Sequence, residues 1–149
     1  MYQSLTFLHS TLRWIALLLL IMSIVRFWYA RRSGKTFTKT DNALRHWTAT
    51  MFHIQLIVGL LLYFFSPIVE LFWKGDTGNF QVTFFSLIHS TGMFIAIFLL
   101  TIGSAFAKRA TPDNEKFRVA LSWFIPALIL ILILIPWPFS PLAARPYFR

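Results

Sequence analysis

With 149 residues, 57% of them hydrophobic and 13% charged, the chain is too apolar for a water-soluble domain and reads as one integral membrane domain over residues 1–149. Its formal charge of +9 falls between the apolar runs rather than along a basic stripe with stacking aromatics, which excludes nucleic acid as a partner. Cysteine is absent, which excludes disulfides, cysteine-held iron–sulfur clusters, covalent c-type haem and a thiolate nucleophile, and leaves histidine as the main ligand for any metal or cofactor.

The first predicted span covers residues 5–29 and opens with "FLHSTLRW" at 7–14. His9 and Arg13 stand four residues apart, so they share a helix face. An arginine within a span is costly and normally marks a pairing partner. No basic segment precedes this apolar run and its positive charges follow it, so a retained span is expected rather than a cleaved signal peptide.

The second span is predicted at residues 44–65, with His46 beside Arg45 and Trp47 near its start and "HIQLIVGLLLYF" beginning at His53. His46 suits an interfacial position. His53 lies deeper and reads either as a ligand or as a neutral histidine bonding a neighbouring helix. The third span, residues 82–105, carries "LIHSTGMF", in which His89-Ser90-Thr91 repeats His9-Ser10-Thr11. Gly92, three residues beyond His89, would let a flat macrocycle approach the helix, or would serve close helix packing. Ser10 and Ser90 suit bonds to carbonyls of the preceding turn. The fourth span, residues 117–136, contains Pro126, where a kink is expected, while Pro67 and Pro112 fall in connections.

Each run approaches the ~20 residues needed to cross ~30 Å of hydrocarbon, and backbone groups in lipid must be satisfied within the segment. The expected fold is therefore all-α, a bundle of four transmembrane helices. Ten lysines and arginines, at positions 26, 31, 32, 35, 39, 45, 108, 109, 116 and 118, fall on one side, against Lys74, Arg145 and Arg149 on the other. The positive-inside rule makes the richer side cytoplasmic and puts both termini on the non-cytoplasmic side of a multi-pass protein, here read as one of the bacterial inner membrane. Trp28, Tyr29 and Trp47 on one side, and Tyr63, Trp73 and Trp137 on the other, fit interfacial belts anchored in lipid. Asp41, Glu70, Asp76, Asp113 and Glu115 all belong to connections, which argues against a carboxylate-based proton pump or cation transporter.

Spans one and three run in the same direction. Counted from their predicted starts, His9 is about 4 residues deep and His89 about 7, an offset near 5 Å at ~1.5 Å per residue. Two imidazoles at one level on codirectional helices are what bis-histidine haem ligation requires. Arg13 would then receive haem propionates, whose carboxylates match its fork-shaped guanidinium; snorkelling to lipid phosphates, or pairing with Glu70 or Asp76, is the competing reading.

These residues resemble two families. His9-Ser10, the His53-Ile-Gln55-Leu-Ile-Val-Gly59 stretch and His89 are similar to the pattern of small four-helix bacterial membrane proteins described as cytochrome b-like, over essentially the whole chain. More remotely, the Gln55-to-Gly59 spacing, the distance to His89 and a histidine on the preceding span resemble one half of the haem A synthase family. That resemblance implies His9 and His89 as axial ligands of haem b. The family usually has arginine directly after its first histidine, whereas Ser10 follows here, and a single half cannot house both a catalytic and a substrate haem. Haem binding is implied; synthase activity is not.

Three functions are expected to compete. The first is a b-type haem protein passing single electrons or serving respiratory or oxidase assembly, with His53 as an alternative ligand or supporting group. The second is a cofactor-free accessory subunit packed against other membrane subunits. The third is a copper or zinc site formed by His9, His53 and His89. A stand-alone enzyme fits less well than a carrier or subunit. A quinone is compatible with an aromatic membrane face, but no residue pattern locates one.

Overall fold

The computed structural model describes residues 1–140, so Arg145 and Arg149 of the charge count lie outside the described residues. Five helices account for nearly all of the described chain, and four of them are long and apolar enough to cross a membrane. We name them α1 (Tyr2–Arg32), α2 (Lys39–Phe65), α3 (Pro67–Trp73), α4 (Phe80–Arg109) and α5 (Asp113–Leu134). Helices α1 and α4 overrun the predicted spans at both ends and α2 at its start, where Thr38 caps it, whereas α5 starts early at Asp113 and stops at Leu134, short of residue 136. The short α3 is an unanticipated element: Pro67 starts it at the first helical position, where a missing N–H costs nothing, and Ser66 accepts from Val69 N–H. Helix α5 continues through Pro126 to Leu134.

The helices run alternately up and down. Helix α1 packs on α2 and α5, and α4 packs on α2 and α5, so α1 and α4 occupy opposite corners of the bundle. They are diagonal and codirectional rather than adjacent. Small side chains line the contacts, among them Ala16, Ser23, Thr48, Ala96, Ser104, Ala107, Ala120 and Ala127. In lipid the helices gain little from hiding apolar surface, so close backbone approach and interhelical hydrogen bonds do the work. Gly103 illustrates the first device: a Cβ there would meet Trp123 Cβ at 2.3 Å, so only glycine admits that tryptophan. The Ser23–Thr48 hydroxyl pair, 2.7 Å apart and buried between α1 and α2, illustrates the second.

The end of the bundle rich in lysine and arginine is fastened by polar side chains. Thr38 caps α2 in a reciprocal box with Asp41, and Asp41 also receives Arg26 Nε at 2.5 Å. Asp113 accepts the Phe37 N–H at 3.0 Å and Lys116 at 2.8 Å, which ties the α1–α2 connection to α5. Arg45, almost wholly buried, donates to the Ser104 carbonyl at 2.8 Å, to the Ser104 hydroxyl and to Asn42. Above this layer Phe27, Phe37, Phe117 and Phe124 pack with ring centroids 5.0–6.3 Å apart.

Candidate functional site

At the opposite end the bundle does not close. A cavity of about 220 Å³, open on one side, is lined by residues of all four long helices and of α3. Its walls are mainly apolar, with Leu17, Phe52, Leu56, Met93, Ile97 and Ile131 among them, and its polar groups are few. His9 and Arg13 enter from α1, Gln55 and Tyr63 from α2, and His89 from α4. A mostly apolar concavity with a few convergent polar groups is the usual form of a ligand site.

His89 reaches its position through irregular backbone. Phe84–His89 form a π-helical turn inside α4, a local widening that recurs at functional sites because it re-aims the side chains that follow. The ring then bonds to the end of α5: His89 Nδ1 lies 2.9 Å from the Leu134 carbonyl. A carbonyl only accepts, so Nδ1 is the donor, and in the neutral ring the free lone pair belongs to Nε2. Sequence explains why that carbonyl is open. Four residues on from Leu134 stands Pro138, which has no N–H, and the backbone turns extended at Ile135 before Pro136. A histidine held through Nδ1–H to a backbone carbonyl, with Nε2 presented, is the usual state of a metal-ligating imidazole.

His9 sits in regular helix opposite Gly59. A Cβ on Gly59 would lie 3.3 Å from His9 Cε1 and 3.7 Å from Nδ1, so the glycine makes room for the ring. Gln55, one turn before Gly59 on the same face, donates through Nε2 to the His9 carbonyl at 2.9 Å and fixes α1 against α2 at that level. His9 Nδ1 and Gln55 Oε1 are both buried and have no hydrogen-bond partner among the described residues. Arg13 lines the same cavity and lies 5.3 Å from the Trp14 ring centroid, and Trp14 packs on Trp137 at 5.9 Å. Glu70, one proposed partner for Arg13, pairs with Lys74 at 2.5 Å, and that ammonium holds its carboxyl below the usual range.

Of the residues singled out in the sequence, His9, Arg13 and His89 come together. Two others do not. His53 is exposed on another part of α2, where its Nε2 lies 2.9 Å from Thr101 Oγ1. Thr101 gives its own proton to the Ile97 carbonyl at 2.7 Å, so His53 Nε2 must be the donor. It bonds a neighbouring helix, and the three-histidine copper or zinc site is not assembled: no group of three metal-ligating side chains occurs among the described residues. Gly92 is likewise filled by protein. A Cβ there would meet Leu134 Cδ1 at 2.1 Å, so this glycine serves packing of α4 on α5 rather than access of a macrocycle.

Smaller expectations divide. Ser90 bonds the Ser86 carbonyl at 2.8 Å, as anticipated, and His46 is exposed beside Trp47. Tyr63 and Trp137, expected in an outward belt, turn inward: Tyr63 lines the cavity, and Trp137 stacks with Phe139 while donating to the Leu132 carbonyl at 2.8 Å. Gln55, Gly59 and Tyr63 were present in the sequence as neighbours of His53. Their spacing of four residues marks one helix face, which was the available signal for choosing them over His53.

Fold and site thus define a class: a four-span helical membrane protein with a histidine- and arginine-bearing cavity at one end of its bundle. Comparison of the chain with protein-family models, curated proteins and solved structures returned no match.

Proposed function

We propose that this chain is a b-type haem-binding protein of the bacterial inner membrane, with His9 and His89 as the axial pair and both termini on the non-cytoplasmic side. The observation that carries the reading is the placement of two imidazoles, from diagonal and codirectional helices, on one cavity, with His89 fixed through Nδ1 so that Nε2 is the free nitrogen. The residues fit the group. His9 and His89 both line the cavity, and His89 keeps Nε2 for a ligand because its Nδ1–H is engaged by the Leu134 carbonyl. The volume, about 220 Å³, lies below the ~300–1,000 Å³ usual for drug-sized ligands, so a macrocycle would have to extend through the open side.

When bound, haem supplies a one-electron iron couple whose potential follows its axial ligands and surroundings. The chain's own contribution is positional. His89 is oriented by Leu134, His9 by the Gln55 tether and the space over Gly59, and Arg13 offers a bidentate guanidinium to a propionate. The apolar walls lower the local dielectric and limit access of water. Electrons would pass to or from other respiratory or membrane-complex subunits.

The test is optical. Protein produced with ample haem is expected to carry it stoichiometrically, with a Soret band that moves on reduction. His9→Ala and His89→Ala should each abolish the six-coordinate spectrum, while His53→Ala should keep it. A colourless wild type would overturn the proposal, and loss of pigment only in His53→Ala would reassign the ligands.

A further inference from the structure

The far end of the bundle holds a second concavity, under the connection between α1 and α2. It measures about 350 Å³ and is walled by Arg26, Tyr29, Lys35, Thr36, Thr38 and Asp41. The carboxylate does not make it an acidic site. Asp41 takes Arg26 on one oxygen, at 2.5 Å, and the Thr38 N–H and hydroxyl on the other, at 2.9 and 2.6 Å, so its charge is compensated and its lone pairs are engaged.

The uncompensated charge on the wall is Lys35; Arg32, three residues earlier, is not among the lining residues. Lys35 Nζ lies 4.7 Å from the Tyr29 ring centroid and the Arg32 guanidinium 4.9 Å from that of Trp28. Neither has a carboxylate within ion-pair distance among the described residues. A cation seated on a ring face loses little of its charge and much of its freedom, so its remaining N–H groups are directed away from the ring. Trp28 and Tyr29 are themselves more than half exposed, near the end of a membrane-spanning helix where amphipathic rings mark the headgroup layer. A topology signal needs positive charge alone. It does not need a cation fixed on an aromatic face in the wall of a concavity of ligand size.

We propose that this crevice binds the phosphate of an anionic membrane lipid, with Lys35 as its charge partner and the Thr36 hydroxyl as a neutral donor. The commitment to lipid rests on position: the site lies at the end of a helix long and apolar enough to span a membrane, beside Trp28 and Tyr29, and basic pockets in that setting recognise acidic headgroups. The inference is independent of haem.

Thermal unfolding of the purified full-length chain in an uncharged detergent tests it. Short-chain phosphatidylglycerol is expected to raise the midpoint by several degrees, and phosphatidylcholine of the same chain length should not. The shift should shrink between low and high salt, as a charge-dependent contact at a surface must. In the double variant Lys35→Gln/Thr36→Val the shift should fall to less than half, whereas Lys74→Gln at the other end should keep it. Equal shifts from both lipids, or an undiminished shift in the double variant, would overturn the proposal. An equal shift from inorganic phosphate at the same concentration would overturn the lipid assignment. Should the double variant fail to fold, native mass spectrometry of the wild type from equimolar mixed lipid micelles decides: retention of phosphatidylglycerol over phosphatidylcholine supports the site, and equal retention overturns it.

Discussion

At the scale of single residues, the cavity depends on a glycine and a carboxamide that carry no chemistry of their own. Gly59 lies against the His9 ring, and an alanine Cβ there would stand 3.3 Å from Cε1, tight enough that the imidazole must give by a few tenths of an ångström. Gly59→Ala should therefore lower the haem retained per protein while leaving a spectrum, and Gly59→Leu should abolish retention; the Soret absorbance relative to protein reads both. Full retention in Gly59→Leu would mean that His9 is not held over this glycine. Gln55→Leu removes the 2.9 Å bond to the His9 carbonyl. Interhelical hydrogen bonds in membranes average about 0.6 kcal/mol, so the loss in unfolding free energy should be that small, while haem affinity falls further because α1 loses its register at the ligand. His9, Arg13 and His89 were legible in the sequence because polar groups inside apolar runs are costly and need a reason. The four-residue spacing of Gln55, Gly59 and Tyr63 set His53 on another face of its helix, but the partner it finds there was not legible. His53 occupies a span as deep as the others, and only the placement of Thr101 on α4, 48 positions away, shows what its nitrogen does.

At the scale of elements, both ends of the bundle use helix termini, in opposite senses. The start of α2 is closed on itself: Thr38 and Asp41 satisfy each other's backbone groups, and Arg26 draws α1 into the same knot. Asp41→Ala breaks the box and leaves Arg26 without its carboxylate, and should cost about 1–2 kcal/mol, the upper range for a lost cap. Chemical or thermal unfolding in detergent measures it; an unchanged midpoint would show that the cap is redundant. The end of α5 is left open instead, because Pro136 and Pro138 stop the helix and free the Leu134 carbonyl for His89. Pro136→Ala/Pro138→Ala lets α5 continue past Leu134 and supplies an N–H four residues on, a competitor for that carbonyl. The expected outcome is a weaker His89 bond and a smaller fraction of the Nδ1–H tautomer, seen in the ring 15N shifts of histidine-labelled protein without any cofactor. The four long helices could be read from hydropathy, whose period and length survive any packing. The π-helical turn before His89 could not, since it answers to the fit of α4 against its neighbours rather than to local propensity.

For the whole molecule, the two ends differ in charge as well as in construction, and that difference sets how the protein sits in its membrane. Ten lysines and arginines lie at one end against three at the other, counting the terminal Arg145 and Arg149 by sequence. The bias of short loops decides orientation, and these connections are short, so the end with the α1–α2 connection should face the cytoplasm and the histidine cavity should open toward the opposite leaflet. The chain has no cysteine, which makes every introduced one a unique reporter. Ser33 follows α1 at the basic end, and Gly78 lies in the connection between α3 and α4, where a Cβ meets nothing within 4 Å. In spheroplasts a membrane-impermeant maleimide should label Gly78→Cys directly and Ser33→Cys only after lysis. The reverse pattern would turn the protein over and place the imidazoles beside the cytoplasmic leaflet. Labelling of both in sealed spheroplasts would mean that α2, the one long helix between them, does not cross the membrane, and would remove the four-span topology on which the diagonal pairing of α1 and α4 depends.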